Sequence, residues 1–217
     1  MQITSTLYVI LFTTAIICSC SEPPIPPEFK ANAHTSDSIL KEIPPDRLTP
    51  EYKDLAATIL DKLNLPSIEN GVDGFELRVW IAVNQQEHLV IVRQVDSVWS
   101  ADVSELTFIY DDEYDSLLTI ARMKTGKTPS SGWPGFLQKL VDTEILKLPD
   151  FRQVVTDYAL PTDAGGVTVE WANRNKYRIF SYPDLESTQT LSAHAAKMEK
   201  AIRMLEQELN FKRPSLY

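Results

Sequence analysis

Residues Ala121 to Thr128 carry the spacing of a phosphate-cradling loop, with alanine in the first glycine's place and Lys127 in the place of the phosphate-reaching lysine. That chemistry needs a buried strand before the loop and a helix directly after it, so that amide groups and the helix dipole face the anion. Here the residues Ser116 to Met123 read as a short helix. Pro129, Ser130, Ser131, Gly132, Trp133 and Pro134 follow, which makes no helix start at Thr128. The stretch is expected to be an exposed basic loop. The acidic run Asp111, Asp112, Glu113 and Asp115 offers the oxygen ligands that a hard cation wants, but it lacks the alternating ligands and turn glycine of a calcium loop, so a solvated turn is expected. His34, His88 and His194 are scattered and build no metal motif. No nucleophile elbow is present, and Ser130 and Ser131 sit among prolines and glycines. Both cysteines fall within the first twenty residues, so the rest of the chain has no thiol for a nucleophile, a zinc–thiolate site or an internal disulfide. Neither a cofactor nor a metal is expected. Two carboxylates remain for a hydrolytic reading, Glu170 on a strand and Asp150 after a helix.

The other chemistry on offer is a binding surface. Arg78 and Trp80 alternate with the apolar residues of one strand, and Phe180 and Tyr182 occupy the polar face of a later hairpin. An aromatic on the wet side of a sheet is either covered by a helix or meets a partner. If Trp171 faces Tyr177, Glu170 faces Arg178 as a cross-strand pair of opposite charge. Arg78, Trp80, Glu170, Arg178, Phe180 and Tyr182 are thus the candidate surface. The stretch from Pro149 to Gly166, with Asp150, Arg152, Asp157, Tyr158 and Asp163, exceeds the usual loop length, as functional loops often do.

Several elements must position these residues. Thr49 and Pro50 read as an N-cap and first helical residue, and Leu55, Ile59 and Leu63 line one face of a helix reaching about Leu65. From Gly74 the period changes to two, and three strands follow: Phe75 to Val83, Glu87 to Val95, and Val98 to Tyr110, the last broken near Ser104. Trp133 to Leu146 reads as a helix. Val167 to Trp171 and Tyr177 to Tyr182 form the hairpin. Leu191, Ala195, Met198, Ile202, Leu205 and Leu209 make a narrow apolar stripe on a terminal helix, with Glu199 and Arg203 paired on its wet side. The stripe is expected to lie on the domain's own sheet. The fold class is α+β: an antiparallel sheet, built from a three-strand meander plus a hairpin, packed by helices.

The chain has 217 residues, enough for one domain of about 165 after a leader and a tether are set aside. Its 43% hydrophobic and 24% charged residues are those of an ordinary folded domain. A formal net charge of −9 disfavours nucleic acid as a partner and argues against docking on anionic lipid through a basic patch.

Leu7 to Ile17 is an apolar run too short to cross a bilayer, and it fits the core of a secretory signal. The residues Ile17, Cys18, Ser19 and Cys20 resemble the lipobox of bacterial lipoproteins, with an aliphatic residue three before the cysteine and a small one just before it. The n-region departs from the pattern in having no Lys or Arg; the first is Lys30. The resemblance implies a signal peptide over residues 1–19, cleavage before Cys20, and a triacylated Cys20 that anchors the protein to a membrane. Ser21 stands where an Asp often marks inner-membrane retention, which points to the outer membrane of the cell envelope. Residues 20–48, rich in proline, are expected as an extended tether reaching about 80 Å, with a short helical patch near Ser38 to Ile43. Residues 49–217 form the domain. The expected role is non-catalytic binding or scaffolding of another envelope protein or polymer. A hydrolase acting on envelope polymers through carboxylates is the alternative.

Overall fold

The computed structural model describes Pro26, Phe29 and residues 39–83, 86–111, 116–156 and 165–213. The expected leader, Cys20, His34, Asp112, Glu113, Asp115, Asp157, Tyr158 and Asp163 lie outside the described residues. Among the described residues there are seven strands: β1 (Leu40–Glu42), β2 (Phe75–Val83), β3 (Gln86–Val95), β4 (Val98–Asp111), β5 (Ser116–Lys127), β6 (Gly166–Asn173) and β7 (Lys176–Pro183). The helices are α1 (Pro50–Lys62), α2 (Gly132–Asp142), α3 (Phe151–Val154), α4 (Leu185–Thr188) and α5 (Ala193–Leu209). The strands form one sheet in the order β1-β7-β6-β2-β3-β4-β5, with β1 parallel to β7 and every other pairing antiparallel. The fold is α+β, as expected, but the sheet is larger than a three-strand meander plus a hairpin.

Both faces of the sheet are covered at its centre, giving three layers. On one face Phe75, Leu77, Val79 and Ile81 of β2 join side chains of β3, β4, β6 and β7 in the main core, under α2, α3 and α5. Ala195, Met198, Ile202, Leu205 and Leu209 of α5 are all buried there, so the terminal stripe lies on its own sheet. Leu191 precedes the helix and is exposed. On the other face Leu89, Ile91, Leu106 and Ile120 pack with Leu63 and with Ile59 of α1. Thr49 caps α1, its hydroxyl accepting the Tyr52 amide at 3.3 Å. Leu55, expected on the packed face of α1, is exposed. Gly74 turns the chain into β2 at a φ of +104°, and a Cβ there would sit 2.2 Å from the Gln94 carbonyl oxygen, so only glycine fits.

Several expectations are corrected. Residues 116–123 are part of β5 and not a helix. Leu117 and Ile120 pack on the same apolar cluster although three residues apart, because a bulge opposite Ile109 and Tyr110 inserts Leu118 and shifts the parity. That spacing imitates a helical face. The patch near Ser38 to Ile43 holds β1, not a helix. β4 runs unbroken through Ser104, whose buried hydroxyl accepts Arg122 Nε at 3.0 Å. α2 stops at Asp142, since Glu144 adopts a left-handed conformation and a 3-10 turn, Ile145–Lys147, follows. Glu199 is buried on α5 between Arg203 and Arg213 instead of facing water. Within the expected tether, Phe29 is buried against Phe75 and Trp99, and 39–48 joins the fold through β1 and a 3-10 turn, Pro45–Leu48.

Candidate functional site

The antiparallel pairing of β2 with β6 sets Arg78 directly opposite Glu170, on the α1 face of the sheet. Arg78 is fully buried. Its Nε donates to Glu76 Oε1 at 2.7 Å and its Nη2 donates to the Pro66 carbonyl at 2.7 Å. Its Nη1 lies 3.8 Å from Glu170 Oε1 and makes no hydrogen bond. Trp80 Nε1 donates to that same Glu170 oxygen at 3.0 Å, while the Tyr177 hydroxyl donates to Oε2 at 3.3 Å. Burial pushes the Glu170 carboxyl up from its ordinary range, against the pull of Arg78, Trp80 and Tyr177. Burial, with the Glu170 charge beside it, also pushes the Tyr177 phenol up. Arg78, Trp80 and Glu170 are thus brought together, but as a sealed polar knot within the fold.

Arg178, Phe180 and Tyr182 lie on the opposite face. The hairpin register differs by one residue from the expected one: Trp171 pairs with Arg178, and Glu170 with Ile179. Glu170 and Arg178 therefore point to different sides of the sheet and do not pair. Arg178 instead binds Glu42 at 2.8 Å and the Leu146 carbonyl at 2.9 Å, and lies over the Phe180 ring. Phe180 and Tyr182 are buried under α3, and the Tyr182 hydroxyl donates to the Pro149 carbonyl at 2.8 Å. The six residues form two sets on two faces, buried except for the half-buried Trp80 and Arg178, and not one surface.

The other chemistry-bearing residues have structural partners. Asp150 caps α3 by accepting the Arg152 amide at 3.0 Å, and its second oxygen accepts the Ser181 amide at 2.9 Å. Residues 121–127 are extended in β5, so they cradle nothing; Lys124 pairs with Asp102, and Lys127 Nζ donates to the Asn210 carbonyl. Ser130 and Ser131 both donate hydroxyls to Glu208. His88 packs against Phe211, and burial lowers its pKa. Among the described residues no group of three His, Cys, Asp or Glu is placed to hold a metal ion. Among them, too, no helix is long and apolar enough to cross a membrane.

An open cleft of about 200 Å³ lies at one end of the β6–β7 pair, where β1 no longer runs beside β7. Asp46 and Arg47 of the 3-10 turn, Arg152 of α3, Thr168 of β6, and Ser181 and Tyr182 of β7 line it. Arg47 Nη2 donates to Ser181 Oγ at 3.1 Å, and its guanidinium carbon sits 4.4 Å from the centre of the Tyr52 ring. Arg152 Nη1 donates to Asp46 Oδ2 at 3.0 Å. Arg152 was marked in the sequence by the long stretch that holds it. Asp46 and Arg47 fall within the proline-rich stretch that reads as a tether, and nothing in their spacing signals the cleft. Comparison of the chain with protein-family models, with curated proteins and with solved structures finds no match.

Proposed function

We propose that the chain is an envelope lipoprotein, lipid-anchored at Cys20 in the outer membrane, whose domain binds or scaffolds another envelope component without catalysing a reaction. The anchor rests on the lipobox resemblance of Ile17, Ser19 and Cys20. One observation carries the non-catalytic reading: the carboxylates suited to hydrolysis are consumed by the fold. Glu170 accepts from Trp80 and Tyr177 in a largely buried setting, and both Asp150 oxygens accept backbone amides. A general acid or base must reach substrate, and both groups are largely buried with their oxygens already accepting hydrogen bonds. The open cleft is lined by two arginines, the Asp46 carboxylate that pairs with Arg152, and hydroxyl and backbone groups, which suit recognition.

Cell fractionation tests the anchor. Cys20→Ala is expected to leave the membrane fraction and to keep its precursor mass. Continued membrane attachment of that variant at unchanged mass overturns the lipidation.

A further inference from the structure

The cleft carries a charge imbalance in a strongly acidic chain. Two guanidinium groups share one carboxylate: Asp46 Oδ2 lies 3.0 Å from Arg152 Nη1 and 4.0 Å from Arg47 Nε. Asp150 is close by, but its oxygens are turned to the amides of Arg152 and Ser181. Among the described residues, one positive charge in the lining therefore has no counter-charge of its own. Arg47 is held in place by the Tyr52 ring and by Ser181, so its donors are aimed before any ligand arrives. Asp46 and Arg152, by contrast, are 40% and 58% exposed, and an exposed ion pair of this kind separates at little cost. Gly165 and Gly166 leave part of the rim without side chains.

We propose that this cleft receives one oxyanionic group, a carboxylate or a phosphate, presented at the end of a larger ligand, and that Asp46 holds that group's place between the two arginines until the ligand displaces it. The proposal rests on the reading of the domain as a binding module and names the chemistry of its ligand. Arginine is the side chain whose planar fork matches both oxyanions. A cleft of about 200 Å³ is smaller than the pockets that enclose whole ligands, so it suits a terminal group.

The full chain, labelled with ¹⁵N, is titrated with sodium acetate and separately with inorganic phosphate at constant ionic strength, with chloride as control. The readouts are the Arg47 Nε–H and Ser181 amide resonances. Saturable shifts with acetate or phosphate are expected, and the anion that produces them identifies the source of the group. Asp46→Asn removes the internal competitor and is expected to tighten binding by about tenfold, while Arg152→Gln weakens it by about as much. Arg47→Gln is expected to abolish saturation. If that variant does not fold, the exposed Arg152→Gln decides alone. Shifts no different from those with chloride overturn the site. Binding that Asp46→Asn leaves unchanged or weakens overturns the place-holding role. Neither result touches the anchor, which the Cys20→Ala fractionation reads separately.

Discussion

The carboxylate of Glu208, near the end of α5, is 5% exposed and ties three elements together. It pairs with Lys139 of α2, accepts the Ser131 amide at 2.9 Å, and accepts the Ser130 and Ser131 hydroxyls. Burial pushes its pKa up, but these partners outweigh burial and hold it at about 2, against an ordinary 4.5. A carboxyl whose folded pKa is depressed stabilises the fold fully above its unfolded pKa. That contribution fades as pH falls from 4.5 through about 2. The half-exposed Lys139 is screened by water, so about 2 kcal/mol is a fair magnitude at neutral pH. Glu208→Gln is expected to cost that much and to flatten the loss of stability in acid. Urea unfolding across the acid range checks this, and a variant whose acid profile parallels the parent's contradicts it. At this same scale the sequence was partly readable. Pairing of two alternating strands brings Arg78, Trp80 and Glu170 together. Their burial was not readable, because a central strand covered on both faces shows the same polar alternation as one with a wet side whenever its polar groups pair with one another.

At the scale of elements, α5 is the feature read most directly, because its stripe keeps helical spacing over about four turns with nothing to interrupt it. Ile202 and Leu205 are fully buried in the main core, and Lys200 is exposed. Losing two such side chains costs about 2–5 kcal/mol each. Ile202→Ala with Leu205→Ala is therefore expected to leave the domain close to unfolded, while Lys200→Ala changes its denaturation midpoint little. A double variant as stable as the parent would mean that the helix packs elsewhere. The elements misread were those whose local pattern is ambiguous. β5 shows helical spacing only because of its bulge, and β1 is three residues whose extended form depends on β7. The β6–β7 register was set by the turn. The Asn173 side chain accepts the Asn175 and Lys176 amides there, shortening the loop and moving every side chain of the pair by one place. The cleft depends on that register and on a segment distant in sequence, so no local pattern could have disclosed it.

For the whole molecule, the folded unit begins before residue 49. β1 extends the sheet, and Arg47 reaches Ser181, 134 residues away. A chain beginning at residue 39 is expected to unfold in one cooperative transition at a higher denaturant concentration than a chain beginning at residue 49. Equal midpoints would show that 39–48 contributes nothing. Phe29 adds a further contact: it is 2% exposed, with its ring 4.9 Å from Phe75 and 5.5 Å from Trp99. Phe29→Ala in the full chain is expected to lose about 3 kcal/mol, read by chemical denaturation. With no disulfide possible beyond Cys20, packing of this kind is what holds the N-terminal segment to the body.

The seat of Phe29 also sets the length of a leash. A chain anchored at Cys20 and free as far as residue 48 could swing through a hemisphere of about 80 Å. If Cys20 is the anchor, as proposed, then with Phe29 seated eight residues remain between it and the body, about 30 Å at full stretch. The volume searched falls with the cube of the reach, by about twentyfold, and the local concentration of anything sharing that patch of membrane rises by the same factor. Phe75 and Trp99 stand at one end of the strands, whereas Gly166 and Thr168 of the cleft stand at the other, since Phe75 pairs with Asn173 and Ala82 with Gly166. Were Cys20 lipidated as proposed, the attachment would lie toward the Phe29 end of the strands, the end opposite the cleft.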